Sequence, residues 1–145
     1  MFKELSKKLA ESARIGWYEG QAAEETWIED AERELGLSLP ASYKWWLRTY
    51  GNGQIDGSEI YSLAPPEFRD DADTDIVYMR RLDRASGLYP ENRLYFYRPS
   101  PEEAFYFALD AESGAGELPV WREDRLGGDD EVFAASFAEF LDKMA

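Results

Sequence analysis

The joint between two helices constrains this chain more than any other part of it. Residues 26 to 63 read TWIEDAERELGLSLPASYKWWLRTYGNGQIDGSEIYSL. Ile28, Ala31, Glu32 and Leu35 fall at i, i+3, i+4 and i+7, an apolar helical stripe broken by one carboxylate. This helix begins between Ala23 and Trp27, where Thr26 and Glu29 have capping-box spacing. Gly36 stands where a helix end calls for a left-handed residue. Pro40 suits the first turn of a helix and no later position. Tyr43, Trp46, Leu47 and Tyr50 then form an aromatic helical face. Gly51-Asn52-Gly53 is turn chemistry, and Ile60 to Leu63 reads as a strand.

An I-x-x-x-E-x-x-L-G-x-x-L-P joint followed by Y-x-x-W-L and an N-G turn resembles the SUKH superfamily. The residues that carry the resemblance are Ile28, Glu32, Leu35, Gly36, Leu39, Pro40, Tyr43, Trp46, Leu47, Asn52 and Gly53. Phe107, Pro119-Val120-Trp121, Ser136-Phe137 and Phe140-Leu141 extend it. That superfamily includes fungal Smi/Knr-type cell-wall regulators and bacterial immunity proteins against polymorphic toxins. The resemblance implies one SUKH-like (Smi/Knr-type) domain over residues 1–145. Element order points the same way, with helices first, then adjacent strands, then one helix. It predicts an α+β fold with a mostly antiparallel sheet of about five or six strands, packed against N-terminal helices and one C-terminal helix.

Outside the joint, residues 3 to 14 read as a first helix, with Phe2, Leu5 and Leu9 on its inner side. Trp17 and Tyr18 then cover an edge of the core or contact a ligand. Residues 74 to 84 predict a helix with an acidic start and a basic end. Leu94–Tyr97 and Ala104–Leu109 predict a hairpin, with Tyr106 on the face opposite Phe105 and Phe107, beside Tyr95 and Tyr97. Asp110 to Glu117 is a glycine-containing turn; no Gly-Lys-Ser/Thr follows, so it is no phosphate loop. Leu118–Arg122 and Glu131–Ala134 predict further strands. Ser136 and Glu139 form a capping box for the last helix, whose inner face is Phe137, Phe140, Leu141 and Met144.

Charge and residue usage exclude several chemistries. The chain carries 30 acidic and 16 basic residues, a net charge of −14, which repels a phosphate backbone and fits either a well-solvated acidic surface or the steering of a basic partner. It has no cysteine and no histidine, so disulfides, thiolate or imidazole metal sites and Ser-His or Cys-His catalysis are out. Asp71, Asp73 and Asp75 alternate like the start of a calcium loop, but Ile76 and Leu82 stand where glycine and glutamate are needed. No cofactor or metal is therefore expected. The N-terminus lacks a signal-type apolar core, and the longest apolar run is Ala104 to Leu109. A soluble, cytoplasmic protein with no membrane contact is the expectation.

These readings predict a non-enzymatic protein-binding domain. The resemblance implies an immunity protein that neutralises a cognate toxin by direct binding, and the acidity suits a basic, nuclease-type toxin domain. Candidate partner-binding residues are Asp70, Asp71, Asp73 and Asp75, then Asp129, Asp130 and Glu131, with Trp45 as an aromatic anchor. Trp45 sits about 100° from Trp46 around its helix, so it packs on another element or meets a partner. Monomer and weak homodimer both stay open. One alternative is a regulatory scaffold of the Smi/Knr type. Another is a carboxylate-based hydrolase, for which Glu102 and Asp110 could pair. Glu32 interrupts an apolar stripe, which predicts a structural bond to backbone or to an arginine.

Overall fold

The helix joint forms as its residues require. In the computed structural model, which describes residues 2–111 and 114–145, α2 (Glu25–Leu35) ends at Gly36 with φ 71°. Pro40 precedes α3 (Ala41–Thr49). Glu32 closes the joint: its carboxylate accepts from the Leu39 backbone N–H at 2.7 Å and from Lys44 Nζ at 3.2 Å. The charge that breaks the apolar stripe is thus a backbone cap, with lysine rather than arginine beside it. α2 begins with Glu24 at its N-cap and no side-chain bond there, so Thr26 is already inside the helix and its capping box does not form.

α1 (Lys3–Glu11) stops short of residue 14 because Ser12 turns extended and its hydroxyl accepts from the Arg14 and Ile15 N–H groups. Ile15–Gly16 (β1), Gln54–Ile55 (β2) and Ser58–Glu59 (β3) form a small antiparallel sheet in the order β1-β2-β3. Gly51 makes the turn into it. Its φ is 73°, and a Cβ there would lie 1.8 Å from the Gln21 carbonyl oxygen. The strand expected at Ile60–Leu63 is replaced by single bridges, Ile60 to Tyr97 and Ser62 to Asp75. This segment donates alternately to two different neighbours, Tyr61 N–H to Phe96 O and Ser62 N–H to Thr74 O, so no continuous ladder develops.

A 3₁₀ turn (Pro66–Asp71) leads to α4 (Ile76–Ser86). The second sheet is antiparallel in the order β4 (Arg93–Ser100), β5 (Glu103–Ala108), β6 (Val120–Asp124) and β7 (Glu131–Ala134). The fold is α+β, with its strands divided between two sheets where sequence suggested one. Residues 112 and 113, part of the turn expected between Asp110 and Glu117, lie outside the described residues.

Helices cover one face of the larger sheet. α5 (Phe137–Met144) starts at Ser136, whose hydroxyl accepts from Glu139 N–H at 3.1 Å, while the Glu139 carboxylate accepts from Ala135 N–H. Phe137 is fully buried against Tyr43, Phe96 and Phe140 at centroid distances of 5.0 to 5.8 Å. Trp45 packs on Phe2 at 4.6 Å and on Tyr50 at 5.8 Å, closing the core beside α1. A register shift between Tyr95 and Tyr97 turns both Phe96 and Tyr97 inward, so Tyr97 joins the main core instead of standing beside Tyr106.

Candidate functional site

Two acidic surfaces emerge, and their charges are arranged differently. The first is the segment from Pro66 to Asp75. At its centre the Arg69 side chain is 4% exposed, the one cation of this acidic run. Its guanidinium reaches Asp30 at 2.7 Å and Glu34 at 2.8 Å on α2, and Asp75 at 3.3 Å. Arg69 holds the Asp30 carboxyl below the ordinary carboxylate range, with Arg33 assisting. Arg81 of α4 ties Asp70 and Glu34 together. A buried cation thus pins this loop onto two helices.

That pinning sorts the predicted residues. Asp75 is buried and leaves the partner-binding set: it caps α4 through Tyr78 N–H at 2.9 Å and accepts from Ala64 N–H at 2.9 Å. Burial lifts its carboxyl above the usual value, against those two N–H groups and Arg69. Asp70, Asp71 and Asp73 stay exposed, and Asp71 and Asp73 form no ion pair among the described residues. Between Glu67 and Asp70 the Phe68 ring stands 58% exposed. Sequence reasoning passed over Phe68 and Arg69. The signal was an aromatic residue and an arginine in a stretch otherwise rich in proline and acid, PPEFRDDADTD.

The second surface is the outer face of the β4–β7 sheet. Tyr95 and Tyr106 lie there with Ala104 in a small cluster of their own, packed by Tyr89 and Trp121. Arg93 bridges Glu123 at 2.8 Å and Asp130 at 3.0 Å, with its guanidinium 4.5 Å from the Tyr106 ring centroid. Tyr106 OH donates to Asp130 at 2.9 Å, and Tyr95 OH donates to Glu123. Burial, then the Glu123 carboxylate, pushes the Tyr95 phenol up to about 12. Arg98 is clasped between the Tyr95 and Tyr89 rings at 4.4 and 4.7 Å and bonds Asp83 at 2.6 Å. A shallow basin of about 630 Å³ opens over this face, with Trp121, Glu123, Asp129 and Asp130 in its wall. Asp130 is held by internal bonds, whereas Asp129 and Glu131 face solvent.

Trp45, half-buried on Phe2, belongs to neither surface. Glu102 and Asp110 lie at opposite ends of β5 (Glu103–Ala108), and five extended steps put them more than about 15 Å apart. That exceeds the spacing of a glycosidase pair, so these two do not form one. Among the described residues no three acidic side chains converge as metal ligands, and no helix is long and apolar enough to cross a membrane.

The family model described as SUKH_6, SMI1-KNR4 cell-wall, matches residues 25–141. No curated protein matches the chain. A solved structure titled "Crystal structure of protein from Pseudomonas syringae pv. tomato" superposes with a TM-score of 0.65 at 15% identity, over 95% of this chain and 93% of that one. At that identity the likeness concerns the fold.

Proposed function

The chain belongs to the SMI1-KNR4 family of the SUKH superfamily, and from that premise we propose that it is a non-enzymatic immunity protein. In this reading it neutralises a cognate basic toxin domain by direct binding. The observation that carries the proposal is the Pro66–Asp75 loop: it exposes Phe68 together with Glu67, Asp70, Asp71 and Asp73, on a backbone pinned by the buried Arg69. An exposed aromatic ring ringed by carboxylates fits a basic surface with an apolar socket. The ring supplies the desolvated contact, and the carboxylates raise the encounter rate. Pinning the loop beforehand reduces the ordering entropy lost on binding. Asp129 and Glu131 add a second acidic rim.

The test is capture of a partner from lysate of the source cells, with the wild type and with the D70K/D71K/D73K variant side by side. The wild type should retain one basic protein that rising salt releases, and the charge-reversed variant should not. Equal retention by both would remove this surface from the proposal. The family's description as cell-wall proteins favours a second reading, a regulatory scaffold. A structural partner indifferent to salt would support it.

A further inference from the structure

A groove runs between the N-terminal loop and the β2–β3 hairpin, its first hollow lined mainly by hydrogen-bonding side chains and its second mainly by apolar residues and glycine. Two adjoining hollows of about 280 and 370 Å³ share Gln21, Ser62 and Thr74. Tyr18, 63% exposed, borders the first hollow, and the half-buried Trp27 borders the second. In a chain that is 32% charged, Glu59 is the one charged residue in either wall among the described residues. The side chains of Gln21, Gln54, Ser62 and Thr74 make no hydrogen bond among the described residues, and none is buried without a partner. Along the groove their amides and hydroxyls are thus left without a partner among the described residues.

The frame around these groups is fixed. Asn52 accepts from Tyr18 N–H at 2.8 Å and donates to the Tyr18 and Tyr50 carbonyls at 2.8 and 3.0 Å. Ser62 N–H donates to Thr74 O at 2.8 Å, which holds the two hydroxyl-bearing residues side by side. Gly51 allows the backbone at Gln21 to come within contact distance.

We propose that this groove binds an uncharged saccharide unit. A primary amide presents a donor and an acceptor side by side, which matches adjacent sugar hydroxyls, each itself donor and acceptor. With no cation among the described residues of the wall, a phosphate or carboxylate ligand finds no charge-assisted partner there. A wholly apolar ligand would strip water from two amides and two hydroxyls without replacing it. Tyr18 and Trp27 offer flat apolar faces for the C–H side of a pyranose ring. The hollows lie near the lower end of ordinary small-ligand sites, roughly 300 to 1,000 Å³, which suits one or two sugar rings.

The test is NMR on the whole chain, following the side-chain amide signals of Gln21 and Gln54 and the indole N–H of Trp27. Glucose, N-acetylglucosamine, maltose and cellobiose are added in turn to about 10 mM, enough to fill a ~1 mM site. At least one sugar should move these signals selectively, and the Q21A/Q54A variant should bind it about tenfold more weakly or worse. Neither side chain makes a hydrogen bond among the described residues, so this variant should keep the fold, which its backbone amide spectrum checks. The proposal is overturned if none of the four sugars moves the signals, or if the double variant binds as tightly as the wild type. It also fails if an uncharged tetra-alanine peptide moves them and no sugar does. The D71K/D73K variant should bind the sugar unchanged, so this result is independent of the immunity reading.

Discussion

The Pro66–Asp75 loop and the outer face of the β4–β7 sheet are both acidic, yet they use their carboxylates in opposite ways. On the sheet, Glu123 and Asp130 turn inward to Tyr95, Tyr106 and Arg93, and the tyrosines are buried beneath the network. In the loop one buried arginine gathers Asp30, Glu34 and Asp75 from below, which leaves Asp71 and Asp73 facing water around an exposed Phe68. A run of acidic residues is therefore not one signal. What each carboxylate does depends on whether a cation or phenol lies within reach.

The contrast is tested most severely at Arg69. Arg69→Met strands the buried Asp75 carboxylate and unties the loop from α2, and should cost about 3–5 kcal/mol in chemical denaturation. The same tie has an acid limit. Because Asp30 is held below its usual range, its stabilisation is complete above the ordinary carboxylate pKa and is lost as pH falls through the lower folded value. Denaturation curves below about pH 4 should show that loss in the wild type and a smaller one in R69M, where only Arg33 still holds Asp30.

On the sheet the expected effects are smaller. Tyr106→Phe leaves Asp130 its ion pair with Arg93 and should cost about 1–2 kcal/mol. Tyr95 stays protonated in the fold up to about 12, against 10.0 ordinarily. Its raised pKa favours the folded state below pH 10.0, and this contribution is lost as pH rises to about 12. Alkaline denaturation monitored by tyrosinate absorbance should show it. The smallest change in stability belongs to the exposed rim: Phe68→Ala and D71K/D73K should each lie within about 0.5 kcal/mol of wild type by thermal melting. A large loss there would show that the rim is structural.

The helix joint was legible because each of its residues has a strong local reason. Gly36 needs left-handed space, Pro40 starts a helix, and Tyr43, Trp46 and Leu47 repeat at helical spacing. The α5 capping box and the β4–β5 hairpin were legible on the same grounds. The division into two sheets was not, because it depends on which distant strand each short segment meets. Tyr97 faces inward because of a register shift that leaves no mark in an alternating pattern. The candidate site was half legible: sequence picked out the acidic run. Only the burial of Arg69 separates the structural Asp75 from the exposed Asp71 and Asp73 four and two residues before it.

The most direct test of the account is a hydrogen-exchange footprint of the protein bound to the basic partner it captures. Protection should concentrate in residues 66–75 and be lost together with binding in an F68A/D71K/D73K variant that still folds. Protection confined to residues 121–131, or binding undiminished in that variant, would contradict it.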